Sequence, residues 1–179
     1  HNPPARELLE ECDRMGMMEF DEIFDEWEVP KMLTGYSRFF ADWWERDLVD
    51  WMRRDRNHPC VIAWSVGNEV GEQKTPRAGR AIGRRLAAIA RREDPSRPVT
   101  MGCDSTAVFT NGMMEAMDLY GANYRPDFYA ELLRRYPEKG VLGTETASMV
   151  SSRDTYFFPL PKGFETRPRP FAGGFLDRQ

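Results

Sequence analysis

Glu69 and Glu145 are the residues of this 179-residue sequence that most need a chemical explanation. Glu69 closes VIAWSVGNE (61–69), and Glu145 follows the apolar start of VLGTET (141–146). Each has a hydrogen-bonding neighbour just before it, Asn68 and Thr144. An unpaired glutamate ending a buried strand is a burial cost without a purpose, unless the strand opens into a pocket. Two carboxyl groups held across a pocket suit glycosidic bond cleavage. One stays protonated to donate to the leaving oxygen, and the other stays ionised to attack or stabilise the oxocarbenium-like centre.

Other polar side chains recur at comparable places. Asp21 and Glu22 end MMEFDE (17–22), Asp104 follows VTMGC (99–103), and Asn123 and Tyr124 end LYGANY (119–124). One such residue could be a helix cap or an ion-pair partner, and Asp21 and Asp104 allow that reading. Five tips in succession outline a polar, carboxylate-lined pocket. Trp27, in the loop beyond Glu22, is either a stacking platform for a sugar or a packing residue beneath it.

These tips need strands to carry them and helices to cover the strands. Pro3-Pro4 precede a helical pattern through Met15, with Leu8, Cys12 and Met15 on one face and Gly16 as its C-cap. A short strand over 17–22 follows. A stronger helix spans about 39–56, where Phe40, Trp44, Leu48 and Trp51 form one apolar stripe. Asn57-His58-Pro59 stops it, because the residue before proline is pushed out of helical geometry. After the strand at 61–69, a helix over 77–93 buries Ala78, Ile82, Leu86 and Ile89 and turns its arginines to solvent. Strands near 99–103, 119–124 and 141–146 alternate with helices near 108–117 and 128–136.

Apolar strands alternating with helices predict a parallel sheet covered by helices. An open nucleotide-binding sheet should carry a glycine-rich first turn, and neither GxGxxG nor GxxxxGK[ST] occurs. The remaining candidate is the (β/α)8 TIM barrel, whose active site lies at the carboxyl ends of its strands. Five units make an incomplete barrel, and a sequence opening at HNPP without methionine reads as a piece of something longer.

Composition narrows the partners. The chain is 41% hydrophobic and 30% charged with a net charge of −4, a soluble, globular balance without an electrostatic footprint for nucleic acid. No run approaches the length of a membrane span. Cys12, Cys60 and Cys103 read as reduced core thiols in no metal-binding spacing. His1 and His58 are not grouped with a second histidine or a cysteine, which argues against zinc; neither metal nor cofactor is expected. Compartment and oligomeric state stay open.

The motifs HNPPARELLEECDRMG, DEIFDEW, RRDRNHPCVIAWSVGNE and GTETASMVSSR resemble the catalytic barrel of glycoside hydrolase family 2, its β-galactosidase-like branch most closely. The resemblance runs from His1 to about Pro159 and implies barrel strands three to seven. It implies Glu69 as general acid/base, Asn68 as the partner of the sugar 2-hydroxyl and Glu145 as the nucleophile forming a covalent glycosyl-enzyme. Tyr124 resembles the tyrosine that donates to that nucleophile. His1 matches a histidine near the sugar, although a terminal residue is expected to fray, and Asp21 and Glu22 match the strand-three tip.

Residues 1–158 are therefore expected to be a partial glycoside hydrolase barrel, and 159–179 an irregular tail rich in proline and arginine. The implied activity is retaining cleavage of terminal β-linked sugars, β-galactosides first. A β-glucuronidase or β-mannosidase of the same family, or a carbohydrate-binding scaffold without turnover, are the alternatives. Strands one, two and eight are missing, so open edges predict a chain inactive or weakly stable by itself. Some relatives hold a divalent cation, but its ligands cannot be assembled from these residues.

Overall fold

The computed structural model describes residues 1–146. Helix α1 (Arg6–Met15) leads into strand β1 (Glu19–Glu22), and α2 (Ser37–Asp55) into β2 (Val61–Asn68). Helix α3 (Pro76–Glu93) precedes β3 (Val99–Cys103) and β4 (Leu119–Asn123), and α4 (Tyr129–Arg135) precedes β5 (Gly140–Glu145). The strands form one parallel sheet in the order β1-β2-β3-β4-β5, each pairing with its neighbour in sequence. No helix among the described residues is long and apolar enough to cross a membrane.

Local chemistry explains the boundaries. Gly16 adopts the left-handed conformation (φ 67°) that closes α1, and its N–H and that of Met17 return to the last carbonyls. Pro76 opens α3, where its missing N–H costs nothing. The stripe of α2 lands as expected, with Phe40, Leu48 and Trp51 buried and Trp44 partly so. Trp51 meets Trp64 of β2 edge to face, 4.9 Å between centroids, a geometry worth about 1 kcal/mol beyond the area buried. The Trp64 indole donates to Asp94 at the end of α3 (2.9 Å), joining helix to sheet.

Three expectations are corrected. In α1, Leu9 and Cys12 are buried, while Leu8 and Met15 face solvent. In α3 the buried position is Gly79 instead of Ala78, which is exposed. The helix expected near 108–117 is two short 3-10 turns, Thr106–Phe109 and Met113–Ala116. Gly112 between them has φ 85°, a conformation that no continuous right-handed helix contains. The expected tail, 159–179, and the boundary at 158 lie outside the described residues.

Two irregularities of register aim the strand tips. Ser65 and Asn68 are an odd number of residues apart and would face opposite sides of a regular strand. The pairing of β2 with β3 shifts between them, and both side chains reach the same polar cluster. In β4 and β5 the register shifts between Ala122 and Asn123, setting Asn123 opposite Glu145. Bulges of this kind re-aim side chains at barrel rims.

Candidate active site

At the carboxyl end of the sheet, Asn123 occupies the centre of the polar cluster and is fully buried. Its amide nitrogen lies 2.9 Å from Asn68 Oδ1, 2.8 Å from Glu69 Oε1 and 2.9 Å from Glu145 Oε1. Its Oδ1 accepts from the Thr144 hydroxyl. Gly102 of β3 lies beneath; a Cβ there would stand 2.9 Å from Asn68 Oδ1 and 3.0 Å from Asn123 Oδ1, so only glycine lets the two amides meet.

The two glutamates differ in their donors. Glu145 accepts from Asn123 on Oε1 and from the Tyr124 hydroxyl on Oε2, and His1 Nε2 stands 3.7 Å from Oε1. Glu69 accepts from Asn123 on Oε1. Burial pushes the Glu69 carboxyl above the ordinary glutamate range; the Asn123 amide opposes that, and Asp104 adds to it. Burial also raises Glu145, reinforced by the charges of Glu69 and Glu22. Glu145 thus has donors on both oxygens and Glu69 on one, and hydrogen bonds to a carboxylate favour its ionised form.

Both tips are unusual in backbone. Glu69 (φ 43°) and Tyr124 (φ 58°) are the non-glycine residues with positive φ among those described. A left-handed bulky residue is sterically costly and marks a place where surroundings dictate the backbone. Glu69 N–H donates to Gly102 O (2.8 Å), and Tyr124 N–H to Glu145 O (2.6 Å).

His1 Nδ1 lies 2.9 Å from Glu22 Oε1. Glu22 also accepts from Ser65 Oγ (2.6 Å), and burial raises its carboxyl. Glu69, Glu145, Asn68, Tyr124, His1 and Glu22 thus converge. Two expected site residues do not. Asp21 is fully buried and turned to α2, where it accepts from the Trp51 indole (3.1 Å). Its carboxyl is pushed up to about 7 by burial and by the adjacent Asp55. Trp27 is fully buried, its indole donating to Val66 O (2.8 Å) and its ring packed on Gly67, where a Cβ would meet it at 2.9 Å. No face of that ring is free to stack on a sugar; it is packing.

Sequence reasoning placed Asn123 at a strand tip without seeing that it bridges both glutamates. It missed Asp25, which accepts from Asn68 Nδ2 (3.2 Å), and Lys31, which donates to Asp25 (2.7 Å) and to Asn68 O (2.8 Å). Neither lies in a periodic pattern that would reveal it. A cavity of about 470 Å³ beside β1, bounded by Phe24, Tyr36 and Trp51 among others, is separate from the glutamates.

The expectation that His58 stands apart from cysteine is also corrected, because it groups with Cys60 and Asp13, ligand atoms within 4.8 Å. Asp13 already accepts from His58 Nδ1 (2.6 Å) and Cys60 N–H (2.8 Å). Burial pushes the Cys60 thiol up to about 12, so it stays protonated, and the group reads as a brace between α1 and β2.

Parallel strands in sequential order, with carboxylates and amides gathered at their carboxyl ends, define an incomplete (β/α)8 barrel with a glycosidase-like mouth. The family model "Glycosyl hydrolases family 2, TIM barrel domain" matches residues 1–146, and the chain belongs to that family. It is 34% identical over 211 residues to β-galactosidase BoGH2A of Bacteroides ovatus, covering 99% of this chain and 24% of that protein. A crystal structure of a family 2 member from Bacteroides cellulosilyticus matches with TM-score 0.74 and 38% identity, covering 79% of this chain and 18% of the other. Bacteroides uniformis β-glucuronidase 2, solved covalently bound to cyclophellitol-6-carboxylate aziridine, matches with TM-score 0.65 and 26% identity, over 79% and 19% of the two chains. The chain spans about a quarter of the first of these relatives.

Proposed function

We propose that these residues form the catalytic face of a longer retaining β-glycosidase, with β-galactosides as leading substrates and β-glucuronides next. The observation carrying the proposal is the shared Asn123 donor. Bonds of 2.8 and 2.9 Å to one nitrogen leave Glu69 Oε1 and Glu145 Oε1 no more than their sum, about 5.7 Å, apart. That limit on the two facing oxygens accommodates the ~5–5.5 Å carboxyl separation of retaining glycosidases; inverting ones stand ~6.5–9.5 Å apart to admit a water.

In this reading Glu145 attacks the anomeric carbon as the bond to the leaving oxygen breaks, and Glu69 gives that oxygen its proton. The product is a glycosyl ester on Glu145. Glu69, now ionised, takes a proton from water, the water oxygen attacks the same carbon, and Glu145 leaves as carboxylate. Tyr124 and Asn123 hold the nucleophile ionised and aimed. Asn68 takes the 2-hydroxyl, a contact that strengthens as positive charge develops at the anomeric carbon. His1 and Glu22 line the sugar side. The names of the B. ovatus and B. uniformis relatives support the two substrate classes.

A 2-deoxy-2-fluoro β-galactoside with an activated leaving group, given to the complete protein, tests this. A covalent adduct mapped to Glu145 is the expected result. Binding without any adduct would replace the enzyme with a carbohydrate-binding module.

A further inference from the structure

The loop between β1 and α2 carries a lysine that this reaction scheme leaves unused. The loop is tied down from within. Buried Glu26 accepts the backbone N–H groups of Lys31 (2.6 Å), Met32 (3.4 Å) and Ser37 (2.8 Å), and Val29 N–H donates to Glu72 (2.8 Å). So anchored, it delivers Lys31 Nζ to Asp25 Oδ1 at 2.7 Å and to Asn68 O at 2.8 Å. The same Asp25 oxygen receives the Asn68 side-chain amide at 3.2 Å. One ion pair therefore grips Asn68 by both main chain and side chain.

The gripped carbonyl belongs to the peptide that joins Asn68 to Glu69. That peptide is held at its other end by Glu69 N–H on Gly102 O (2.8 Å), and beyond it Glu69 takes φ 43°. Left-handed backbone at a non-glycine residue persists only where surrounding contacts over-determine it. A rotation of this peptide would swing the Glu69 carboxyl away from Asn123.

We propose that Lys31 is a positioning residue: with Asp25 it locks the Asn68–Glu69 peptide in the turn that points the Glu69 carboxyl at Asn123 and Glu145, and it supplies a cation that both glutamates feel. This rests on the roles proposed above for Glu69 and Glu145. The charges around the pair are few enough to name. Glu69 is faced by Glu145, Asp104, Asp25 and Lys31; Glu145 is faced by Glu69, Glu22, Lys31, the Tyr124 hydroxyl, the His1 ring and the amino terminus. Lys31 favours the ionised form of both, opposing burial.

The test is the pH profile of kcat/KM in the complete protein. Lys31→Met removes the cation, so both limbs are expected to move to higher pH, by roughly half a unit or more. Loss of the grip lowers kcat by roughly ten-fold or more while KM changes less. Lys31→Arg, which keeps the charge, restores the limbs. Asp25→Asn loosens the same grip but removes an anion, and shifts the alkaline limb the opposite way, to lower pH. Limbs that stay in place in Lys31→Met, or an Asp25→Asn shift to higher pH, overturn the proposal. Carboxyl chemical shifts of 13C-labelled glutamates follow the same titrations without turnover. Adduct formation on Glu145 in the unaltered protein separates the two levels. An adduct with unmoved limbs sinks Lys31 alone, and no adduct sinks the roles of the glutamates.

Discussion

Glu69 and Glu145, carried on strands separated by β3 and β4, reach the same hydrogen-bond donor. The Asn123 amide nitrogen stands 2.8 Å from the first and 2.9 Å from the second. Two partly buried acids that would repel each other when both ionised are thus bridged by a neutral dipole whose hydrogens point at negative charge. The bridge fixes their spacing and moderates the rise that burial imposes on Glu69.

Asn123→Ala should therefore impair catalysis more than binding. A hydrogen bond to a charged group is worth about 1.5–3 kcal/mol, so kcat is expected to fall roughly 10- to 150-fold. Steady-state kinetics on a nitrophenyl glycoside checks this. A loss of kcat/KM carried by a rise in KM alone would place Asn123 in sugar binding instead.

Glu69→Gln should show a dependence on the leaving group. A substrate departing as a stable phenolate needs no proton, so glycosyl transfer to Glu145 proceeds while hydrolysis of the glycosyl-enzyme lacks its base. The expected signature is a burst of phenolate followed by a slow steady state, with alkyl glycosides nearly inert. Equal losses on both substrate types would remove the acid role from Glu69.

Asp21→Asn is a stability prediction with a definite sign. Buried beside Asp55, the Asp21 carboxyl titrates at about 7 instead of its ordinary 3.8. A folded state that holds its proton more tightly than the unfolded chain loses stability as pH rises from 3.8 toward 7. The substitution should stabilise the domain by ~2–4 kcal/mol at pH 8 and by little at pH 4, because asparagine stays neutral and can still accept from Trp51. Urea unfolding at the two pH values reads the difference; equal effects at both would contradict it.

Much of this site was legible because barrel strands announce themselves. The apolar run of β2 ending in Asn68-Glu69, and that of β5 ending in Glu145, place both carboxyl groups at one end of a parallel sheet from the pattern of residues alone. The α2 stripe was legible for the same reason, as its period is set by helix geometry. Trp27 stayed open between stacking and packing because an aromatic residue in a loop has no periodicity to show which way it faces. Asp21 was misread because neighbours on a strand point to opposite sides; only the ligand of Glu22, Ser65, and that of Asp21, Trp51, reveal which is inward. Lys31 and Asp25 were illegible because their roles depend on a loop path fixed by Glu26, whose carboxylate collects backbone N–H groups that no side-chain pattern encodes.

The sequential strand order has a consequence for the birth of the site. The contacts that join its strands span long stretches of chain: 54 residues from Glu69 to Asn123, 22 from Asn123 to Glu145, 43 from Glu22 to Ser65. Because each strand pairs only with its neighbour in sequence, the sheet can grow one strand at a time from the amino terminus. In that order the strand leading to Glu69 joins the sheet before β5, which carries Glu145. Until β4 and β5 have joined, Glu69 lacks both its partner acid and the Asn123 amide, while the Lys31–Asp25 grip on Asn68 is in place. Docking of β5 is the step that brings Glu145 to the Asn123 amide, so the cluster is completed by the last of the five described strands while the rest of the sheet can stand without it.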